Sequence, residues 1–302
     1  MTAAASLKVG GKSVRVSNLD KPLYPGGFTK GQVLEYYMGI APVMLPYLRG
    51  RAVTMRRFPD GVKSGTFYQK NCPDHRPPWV GTVRVESRVG EAPVDHCLLD
   101  ERAALLWAAN LAALEIHVPM ARAAKPDRPT AMVFDLDPGP PATLPDCIRI
   151  GLRLRDLLDR LGLECLPKTS GSKGLHVYVP LNTAVTFDQT KNVARAIATH
   201  VSEQEPKLVT MNMSKAQRPG KVFIDWSQND VHKTTVCAYS LRATEEPRVS
   251  TPVTWKELEA ALASKGSGKA LNFSPAEVLK RVEKLGDLFL PVLKQRQVLP
   301  SI

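Results

Sequence analysis

The sequence predicts an α/β (α+β) protein with a twisted, mainly antiparallel sheet core, split βαβ elements and flanking helices. Strand-like segments with alternating or continuous apolar patterning are interspersed with segments of helical periodicity. Over residues 131–226 these segments follow the order β-α-β-β-α-β, which is the split βαβ arrangement. The 302 residues are enough to bury a substantial core.

The N-terminal part of the chain is predicted to form a strand pair followed by a helix. Residues 1–17 carry Gly10 and Gly11 as a turn, and Thr29 with Gln32 forms a capping box where the helix begins. Two strands and a second helix then follow, over residues 51–58, 65–70 and 101–114, with Asp100 as the cap of that helix.

The second half of the chain shows more regular patterning. From about residue 251 onward, surface helices and a C-terminal tail are expected. The elements predicted before that point are strands over residues 131–137, 163–168, 174–181 and 221–226, and helices over residues 144–162 and 187–204.

The composition restricts the class of protein. The chain has 41 Lys and Arg residues against 29 Asp and Glu residues, a net charge of +12. Such a basic surface is either simply solvated or binds a polyanion, because neutralising phosphates releases counterions. No membrane-spanning segment or signal peptide is evident, so a cytoplasmic protein without a membrane partner is predicted. The five cysteines are odd in number and widely spaced, which predicts reduced thiols rather than a disulfide framework.

Two acidic residues lie near the end of the predicted strand 131–137. Asp135 and Asp137 share one face of this strand because side chains alternate with a period of two, and Phe134 and Leu136 then point into the core. Adjacent carboxylates repel each other and usually need a cation between them. Hard oxygen ligands without nearby Cys or His indicate Mg²⁺ or Mn²⁺. Two solvated acids near a turn are the alternative.

A short glycine-rich segment joins the strands predicted before and after residue 170. Ser170, Ser172 and Gly174 are small enough for backbone N–H groups to approach a phosphate, and Lys173 adds a positive charge. His176 follows on the next strand. The segment is not a P-loop, since the spacing differs and a strand follows. A polyphosphate site is therefore predicted, with a plain glycine-rich hairpin as the alternative.

A third acid, Asp225, ends the apolar strand 221–226, where a carboxylate is costly without a partner. In the split βαβ order this strand can lie beside the strand that carries Asp135 and Asp137. Three acids around two divalent ions match two-metal phosphoryl transfer. A structural Asp that accepts hydrogen bonds from local N–H groups is the alternative.

Three motifs, in sequence order, resemble those of archaeo-eukaryotic primase-type polymerases. The chain is similar in particular to the polymerase domain of bacterial ATP-dependent DNA ligase D, which acts in non-homologous end joining. The similarity spans about residues 14–290. The motifs are Asp135-Leu-Asp137-Pro-Gly, Ser170-Gly-Ser-Lys-Gly-Leu-His176 and Ile224-Asp225-Trp-Ser-Gln-Asn.

This resemblance implies a primase-type polymerase fold in one domain over residues 1–302. It divides the domain into an N-terminal lobe over about residues 1–125, a catalytic core lobe over about residues 126–250, and C-terminal helices and a tail over residues 251–302. No ligase or phosphoesterase domain is recognised in these residues, and the sequence leaves open whether the domain stands alone or belongs to a longer protein.

The resemblance also implies roles for individual residues. Asp135, Asp137 and Asp225 are expected to be catalytic and to bind two Mn²⁺ or Mg²⁺ ions. Asn18, Lys21 and Lys30 are expected to bind a DNA 5′-phosphate, and the first turn of the Thr29-capped helix supports this for Lys30 through its free N–H groups and dipole. The residues expected to bind the nucleotide are Ser170, Ser172, Lys173, His176, His117, Gln228, Arg242, Phe67 and Tyr68. As strand neighbours, Phe67 and Tyr68 face opposite ways, so at most one contacts the nucleotide directly.

The implied activity is template-dependent transfer of nucleotides from NTP or dNTP to a 3′-hydroxyl, filling gaps and extending ends at DNA breaks. The resemblance implies a preference for ribonucleotides, gapped or broken DNA with a 5′-phosphate as substrate, a nucleoid-associated location, and Ku and a DNA ligase as partners. The alternatives are a dedicated DNA primase, a non-catalytic DNA-end-bridging module, and an RNA-binding module of split βαβ form, which the acidic strand argues against.

Overall fold

The computed structural model describes residues 5–87, 90–264 and 268–300. None of the helices in these stretches combines the length and the apolar character that a membrane-spanning helix needs. The strands are β1 (Ala5–Val9), β2 (Lys12–Val16), β3 (Thr54–Arg57), β4 (Phe67–Gln69), β5 (Thr82–Val85), β6 (Val94–Cys97), β7 (Ala113–Val118), β8 (Ala131–Pro138), β9 (Leu166–Thr169), β10 (Leu175–Pro180), β11 (Val209–Thr210), β12 (Val222–Asp225), β13 (Thr235–Val236), β14 (Leu241–Arg242) and β15 (Arg248–Val249).

The chain is of mixed α/β composition, as predicted, and its helices fall between and after the strands. They are α1 (Lys30–Leu48), α2 (Arg102–Asn110), α3 (Leu144–Arg160), α4 (Phe187–Gln204), α5 (Trp255–Ala263), α6 (Pro275–Leu285) and α7 (Pro291–Lys294). The described residues form two compact units. Unit 1 comprises those within Met1–Ala124, Thr234–Val249 and Ser274–Gly286, and unit 2 comprises those within Lys125–Lys233, Ser250–Phe273 and Asp287–Ile302.

Unit 1 is built on a four-stranded antiparallel sheet with the order β13-β7-β3-β4. Helix α1 packs on this sheet through Tyr37, whose buried hydroxyl donates to the Leu114 carbonyl of β7 at 2.7 Å. The N-terminal hairpin β1-β2 turns at Gly10 and Gly11, both with positive φ, which confirms the predicted turn.

Helix α1 begins as the sequence predicts. The Gln32 N–H donates to the Thr29 hydroxyl at 3.3 Å, and the Gln32 side chain accepts from the Thr29 N–H at 2.8 Å, so the capping box is confirmed. The helix continues to Leu48 although Pro42 and Pro46 lie within it.

The helix predicted over residues 101–114 is partly wrong. It ends at Asn110, and a strand, β7, follows from Ala113 after a left-handed residue, Ala112, with φ of 56°. A continuous apolar run does not distinguish a buried helix from a buried strand, and pairing with β3 decides for the strand here. Asp100 also does not cap α2, because its carboxylate accepts from the Gly50 N–H at 2.7 Å.

One pair of cysteines contradicts the prediction that all five are reduced thiols. Cys72 and Cys97 form a disulfide with the sulfur atoms 2.07 Å apart, whereas Cys147, Cys165 and Cys237 are buried free thiols. The segment after β4 pairs with β6, and this long-range pairing brings the two cysteines together. Sequence spacing carries no information on that pairing, so the expectation of reduced thiols fails for Cys72 and Cys97.

Unit 2 contains the predicted split βαβ arrangement. Its sheet has the order β11-β12-β8-β10-β9, in which β12, β8, β10 and β9 are antiparallel neighbours. The short strand β11, which the sequence analysis did not predict, adds a parallel edge. Helices α3 and α4 cover one face, where their apolar residues pack with Phe134, Leu136 and Val177 in one core. The alternate residues of these strands therefore occupy the opposite face.

We predict that Leu154→Ala, in the buried face of α3, destabilises the protein by about 2–5 kcal/mol, because it removes methylene groups and leaves a cavity in the core of unit 2. Leu161→Ala, at the exposed residue that caps the C-terminal end of the same helix, is the matched control and should cost less than about 0.5 kcal/mol. Urea unfolding measures both. Equal losses for the two variants would contradict this description of the core.

Candidate active site

In unit 2, four polar residues form a row across the sheet, one from each of four adjacent strands. Lys168 is opposite His176, His176 is opposite Asp135, and Asp135 is opposite Asp225. Directly opposite residues in antiparallel strands share a face and lie close together. The row therefore lies on the face away from the apolar core, with the His176 Nε2 atom 3.2 Å from an Asp135 carboxylate oxygen.

Asp137 lies two residues beyond Asp135 and consequently on the same face, as predicted. The loop before β10 comes very close to this end of β8. A Cβ atom on Gly174 would be 2.2 Å from the Leu136 carbonyl oxygen and 3.5 Å from an Asp137 carboxylate oxygen. Only glycine permits this approach, so the loop and the second acid are held side by side.

Asp225 is oriented by the 3₁₀ turn that follows it. One carboxylate oxygen accepts from the Ser227 N–H at 3.0 Å and from the Ser227 hydroxyl at 2.6 Å, and the other accepts from the Gln228 side-chain amide at 2.8 Å. Gln228, which the sequence analysis places in the nucleotide pocket, therefore contacts this acid. Both oxygens of Asp225 therefore accept hydrogen bonds from the turn that follows it.

The side chain of Asn229 replaces the backbone hydrogen bonds that β8 would otherwise receive beyond the end of β12. The register would place residue 227 opposite Val133, but the chain turns after Asp225. The Asn229 side chain, in a residue only 1% exposed, instead accepts from the Val133 N–H at 2.9 Å and donates to the Val133 carbonyl at 2.7 Å. It also donates to the Trp226 carbonyl at 2.9 Å. This residue thereby ties the turn that holds Asp225 to the strand that holds Asp135, a role the sequence analysis missed.

The glycine-rich loop is partly closed on itself. The Ser170 hydroxyl oxygen accepts from the backbone N–H groups of Ser172 at 3.2 Å and Gly174 at 3.0 Å. Two of the amides expected to face a phosphate therefore point at Ser170 instead. Lys173 is the exposed side chain of this loop, whereas Ser170 is buried.

In unit 1, the neighbours Phe67 and Tyr68 lie on opposite faces of the sheet. Tyr68 is opposite Arg56, whose guanidinium carbon lies 5.4 Å from the Tyr68 ring centre, and Phe67 is opposite Arg57 with a corresponding distance of 5.1 Å. The Tyr68 ring meets the His117 ring edge-on at 5.8 Å. Of the two aromatic residues, Tyr68 thus shares its face with His117.

His117 and Arg242 are joined through Glu115, a buried residue that the sequence analysis did not select. The His117 Nε2 atom is 3.0 Å from one Glu115 carboxylate oxygen, and the Arg242 Nε atom is 3.5 Å from the other. A glutamate inside the apolar strand β7 is the sequence signal that could have found it, since a buried acid needs partners.

The residues predicted to bind a 5′-phosphate lie at the start of α1 in unit 1. Asn18 has a positive φ of 54°, and its carbonyl accepts from the Lys21 N–H at 3.1 Å. The expected free N–H groups are absent here: those of Lys30 and Gly31 donate to the carbonyls of Lys21 and Leu19 at 2.8 and 2.7 Å. That part of the sequence argument is wrong, because the preceding loop folds back over the helix end.

Since the helix amides are already hydrogen-bonded, the positive side chains of Lys21 and Lys30 are the remaining basis for anion binding at this position. Burial, together with the nearby positive charges of Lys21 and Arg57, lowers the pKa of Lys30 to about 8. Lys21 is paired with Asp60 at 2.7 Å. A bound anion would relieve the repulsion between these cations and raise the pKa of Lys30.

The acids of unit 2 are suited to hard divalent cations, but they do not form a complete coordination site in this structure. Among the described residues, no group of three or more His, Cys, Asp or Glu side chains is arranged to hold a metal ion. Asp135, Asp137 and Asp225 nevertheless share one face and supply only oxygen donors, which fits Mg²⁺ or Mn²⁺.

Comparison with known proteins identifies what the chain is similar to. The family model described as LigD, primase-polymerase domain, matches residues 29–289. The multifunctional non-homologous end joining protein LigD of Mycolicibacterium smegmatis is 41% identical over 282 residues, which cover 92% of this chain and 36% of that protein. The bifunctional non-homologous end joining protein LigD of Bacillus subtilis is 32% identical over 94% of this chain and 45% of that protein.

A solved structure shows the same fold. The polymerase domain from Mycobacterium tuberculosis ligase D, in complex with DNA, superposes with a TM-score of 0.85 at 39% identity. The match covers 93% of this chain and 98% of that one. The chain thus spans less than half the length of the curated relatives cited above and nearly all of a separately solved polymerase domain.

We predict that Asn229→Ala destabilises the protein by at least about 2 kcal/mol, because the buried N–H and carbonyl of Val133 lose their partner. Asn212→Ala is the matched control, since the Asn212 side chain makes an exposed hydrogen bond to the Ser214 N–H in the same unit. Urea unfolding measures the difference. Equal stability of the two variants would show that Asn229 does not secure the turn.

Proposed function

The chain belongs to the LigD primase-polymerase domain family, and from this premise we propose that it is a template-dependent nucleotidyltransferase. In this proposal it fills gaps and extends 3′ ends at DNA breaks during non-homologous end joining. The observation that carries the proposal is the placement of Asp225 directly opposite Asp135, with Asp137 on the same face.

Asp135, Asp137 and Asp225 are the proposed ligands of two Mn²⁺ or Mg²⁺ ions. The chemistry that such ions supply when bound is activation of a primer 3′-hydroxyl and neutralisation of triphosphate charge. The protein's own part is to orient the carboxylates. Gln228 and Ser227 do this for Asp225, and His176 does it for Asp135.

The residues proposed to bind the nucleotide triphosphate are Ser170, Ser172, Lys173, His176 and Arg242. Of these, Lys173 is exposed in its loop, and Arg242 supplies a permanent positive charge. The further nucleotide contacts proposed are His117, Gln228 and an aromatic residue, for which Tyr68 is favoured over Phe67 because it shares its face with His117.

DNA is the proposed macromolecular substrate. The net charge of +12 and the cations Lys21 and Lys30 beside Asn18 support binding of gapped DNA with a 5′-phosphate. The related structure from Mycobacterium tuberculosis was solved in complex with DNA. The relatives are named as non-homologous end joining proteins, and Ku and a DNA ligase are accordingly proposed as partners.

Primer extension on gapped DNA tests the proposal. The assay uses Mn²⁺ or Mg²⁺, substrates with and without a downstream 5′-phosphate, and rNTP against dNTP. We expect templated addition that the 5′-phosphate stimulates and that ribonucleotides support better. Synthesis without a primer would indicate a primase instead. DNA-end binding without any incorporation would indicate a bridging module and contradict the proposal.

We predict that Asp137→Asn lowers the rate of nucleotide addition by on the order of 10²-fold or more, since the substitution removes a charge that stabilises the reacting phosphates through metal binding. DNA affinity, measured by fluorescence anisotropy, should stay within about twofold because Asp137 is not proposed to contact DNA. Asp188→Asn, on the exposed first turn of α4, is the control. Wild-type addition by purified Asp137→Asn would reject the role of this acid.

We predict that preference for 5′-phosphorylated gapped DNA declines above pH 8. Lys30 has its pKa lowered to about 8, so it is charged below that pH and loses its charge as the pH rises through it. Phosphate binding then requires proton uptake and weakens by up to about tenfold per pH unit. The phosphate itself is almost fully ionised between pH 7 and pH 9, because its second pKa is about 6.

Anisotropy titrations at several pH values, with phosphorylated and unphosphorylated DNA, measure this effect. Lys30→Arg keeps its charge at all these pH values, so its preference should be independent of pH. Lys30→Met should show little preference at any pH. A wild-type preference that stays constant from pH 7 to pH 9 would remove Lys30 from the phosphate site.

A further inference from the structure

Glu115 is a buried carboxylate in strand β7 of unit 1, only 2% exposed, and the function proposed above assigns it no role. Its two oxygens face different partners. One accepts from His117 Nε2 at 3.0 Å. The other accepts from the Ala243 N–H at 3.1 Å and lies 3.5 Å from both Arg56 Nη1 and Arg242 Nε.

The charge state of Glu115 determines which nitrogen of His117 carries the proton. Burial opposes ionisation of Glu115, but the His117 hydrogen bond and the positive charge of Arg242 outweigh burial and lower its pKa to about 2. An ionised carboxylate only accepts hydrogen bonds, so His117 Nε2 must carry the hydrogen. Burial lowers the pKa of His117, and the ring is therefore neutral at pH 7 with a lone pair on Nδ1.

A lone pair on Nδ1 restricts what His117 can bind. No hydrogen bond to Nδ1 is present within the described residues, and the ring is next to Tyr68. Phosphate oxygens are acceptors and cannot pair with this nitrogen, whereas a hydroxyl can donate to it. Arg242, which has only donors, has the opposite preference and suits phosphate.

We infer that Glu115 is a positioning residue that holds His117 as its Nε2–H tautomer, so that Nδ1 accepts a hydrogen bond from a sugar hydroxyl of the nucleotide. Through its other oxygen Glu115 also forms an ion pair with Arg242. The first part concerns the protein alone. The second part, the sugar hydroxyl as ligand, rests on the proposed function.

A glutamine at this position distinguishes positioning from simple packing because it has nearly the same shape but only one acceptor. In Glu115→Gln the carboxamide oxygen should keep the hydrogen bonds from the Ala243 N–H and Arg56 and stay beside the Arg242 cation. The NH₂ group then faces His117, and Nε2 must become the acceptor. The ring proton moves to Nδ1, which reverses the hydrogen-bonding character of the nitrogen offered to the substrate.

The test is long-range ¹H–¹⁵N correlation NMR on the full chain labelled at histidine, at pH 7 and without nucleotide. The chain has six histidines, and the signal that disappears in His117→Phe assigns the ring. We expect Nε2–H in the wild type and Nδ1–H in Glu115→Gln. Glu245→Gln removes the same charge from an exposed pair with Lys63 and should match the wild type.

Two outcomes of this measurement overturn the inference. One is an Nδ1–H tautomer in the wild type, which decides the matter even if Glu115→Gln does not fold. The other is a folded Glu115→Gln protein with an unchanged tautomer. Loss of stability alone would not move the proton, so a purely structural role does not predict the expected result.

A second measurement tests the sugar hydroxyl. Calorimetric titration with Mg²⁺ compares ATP, 2′-deoxy-ATP and 3′-deoxy-ATP on the wild type and on His117→Phe, which has no ring nitrogen. For one analogue we expect about tenfold weaker binding than ATP to the wild type, and a ratio near one in His117→Phe. Unchanged ratios for both analogues would overturn the hydroxyl assignment. Absence of ATP binding to the wild type would refute the proposed function, while the tautomer measurement still decides the role of Glu115.

Discussion

The antiparallel register between β12 and β8 is the constraint on which the candidate active site depends. It pairs Asp225 with Asp135 and so brings a distant acid to the first two. Side chains alternate along a strand, so a slip of one residue would turn Asp225 toward the apolar core and expose Ile224. The apolar face that packs under α3 and α4 resists that slip. Core packing therefore fixes the position of the acids without touching them.

Buried polar groups complete the arrangement in each unit. In unit 2, Asn229 substitutes for the strand pairing that ends at Asp225, and the chain can turn there without leaving Val133 unpaired. In unit 1, Glu115 gathers His117 and Arg242 around one carboxylate. Such groups are costly to bury and only tolerated when fully paired, so each one limits its neighbours to a single geometry.

The sequence predicted those features that depend on local pattern. Strand alternation predicted that Asp135 and Asp137 share a face, and the capping box predicted the start of α1. Prediction from the sequence failed where contacts between distant parts of the chain determine the local structure. The run that forms β7 is equally apolar in a helix, and only pairing with β3 makes it a strand. The contact of Cys72 with Cys97 and the loop carbonyls that occupy the first amides of α1 are likewise long-range or tertiary effects.

The central claim is that Asp135, Asp137 and Asp225 act together on divalent cations. Electron paramagnetic resonance titration of Mn²⁺, in the presence of a non-hydrolysable nucleoside triphosphate, tests it most directly. The account predicts two tightly bound ions per wild-type chain and loss of at least one in Asp225→Asn, although the folded structure is retained. Equal Mn²⁺ binding by wild type and Asp225→Asn would contradict it.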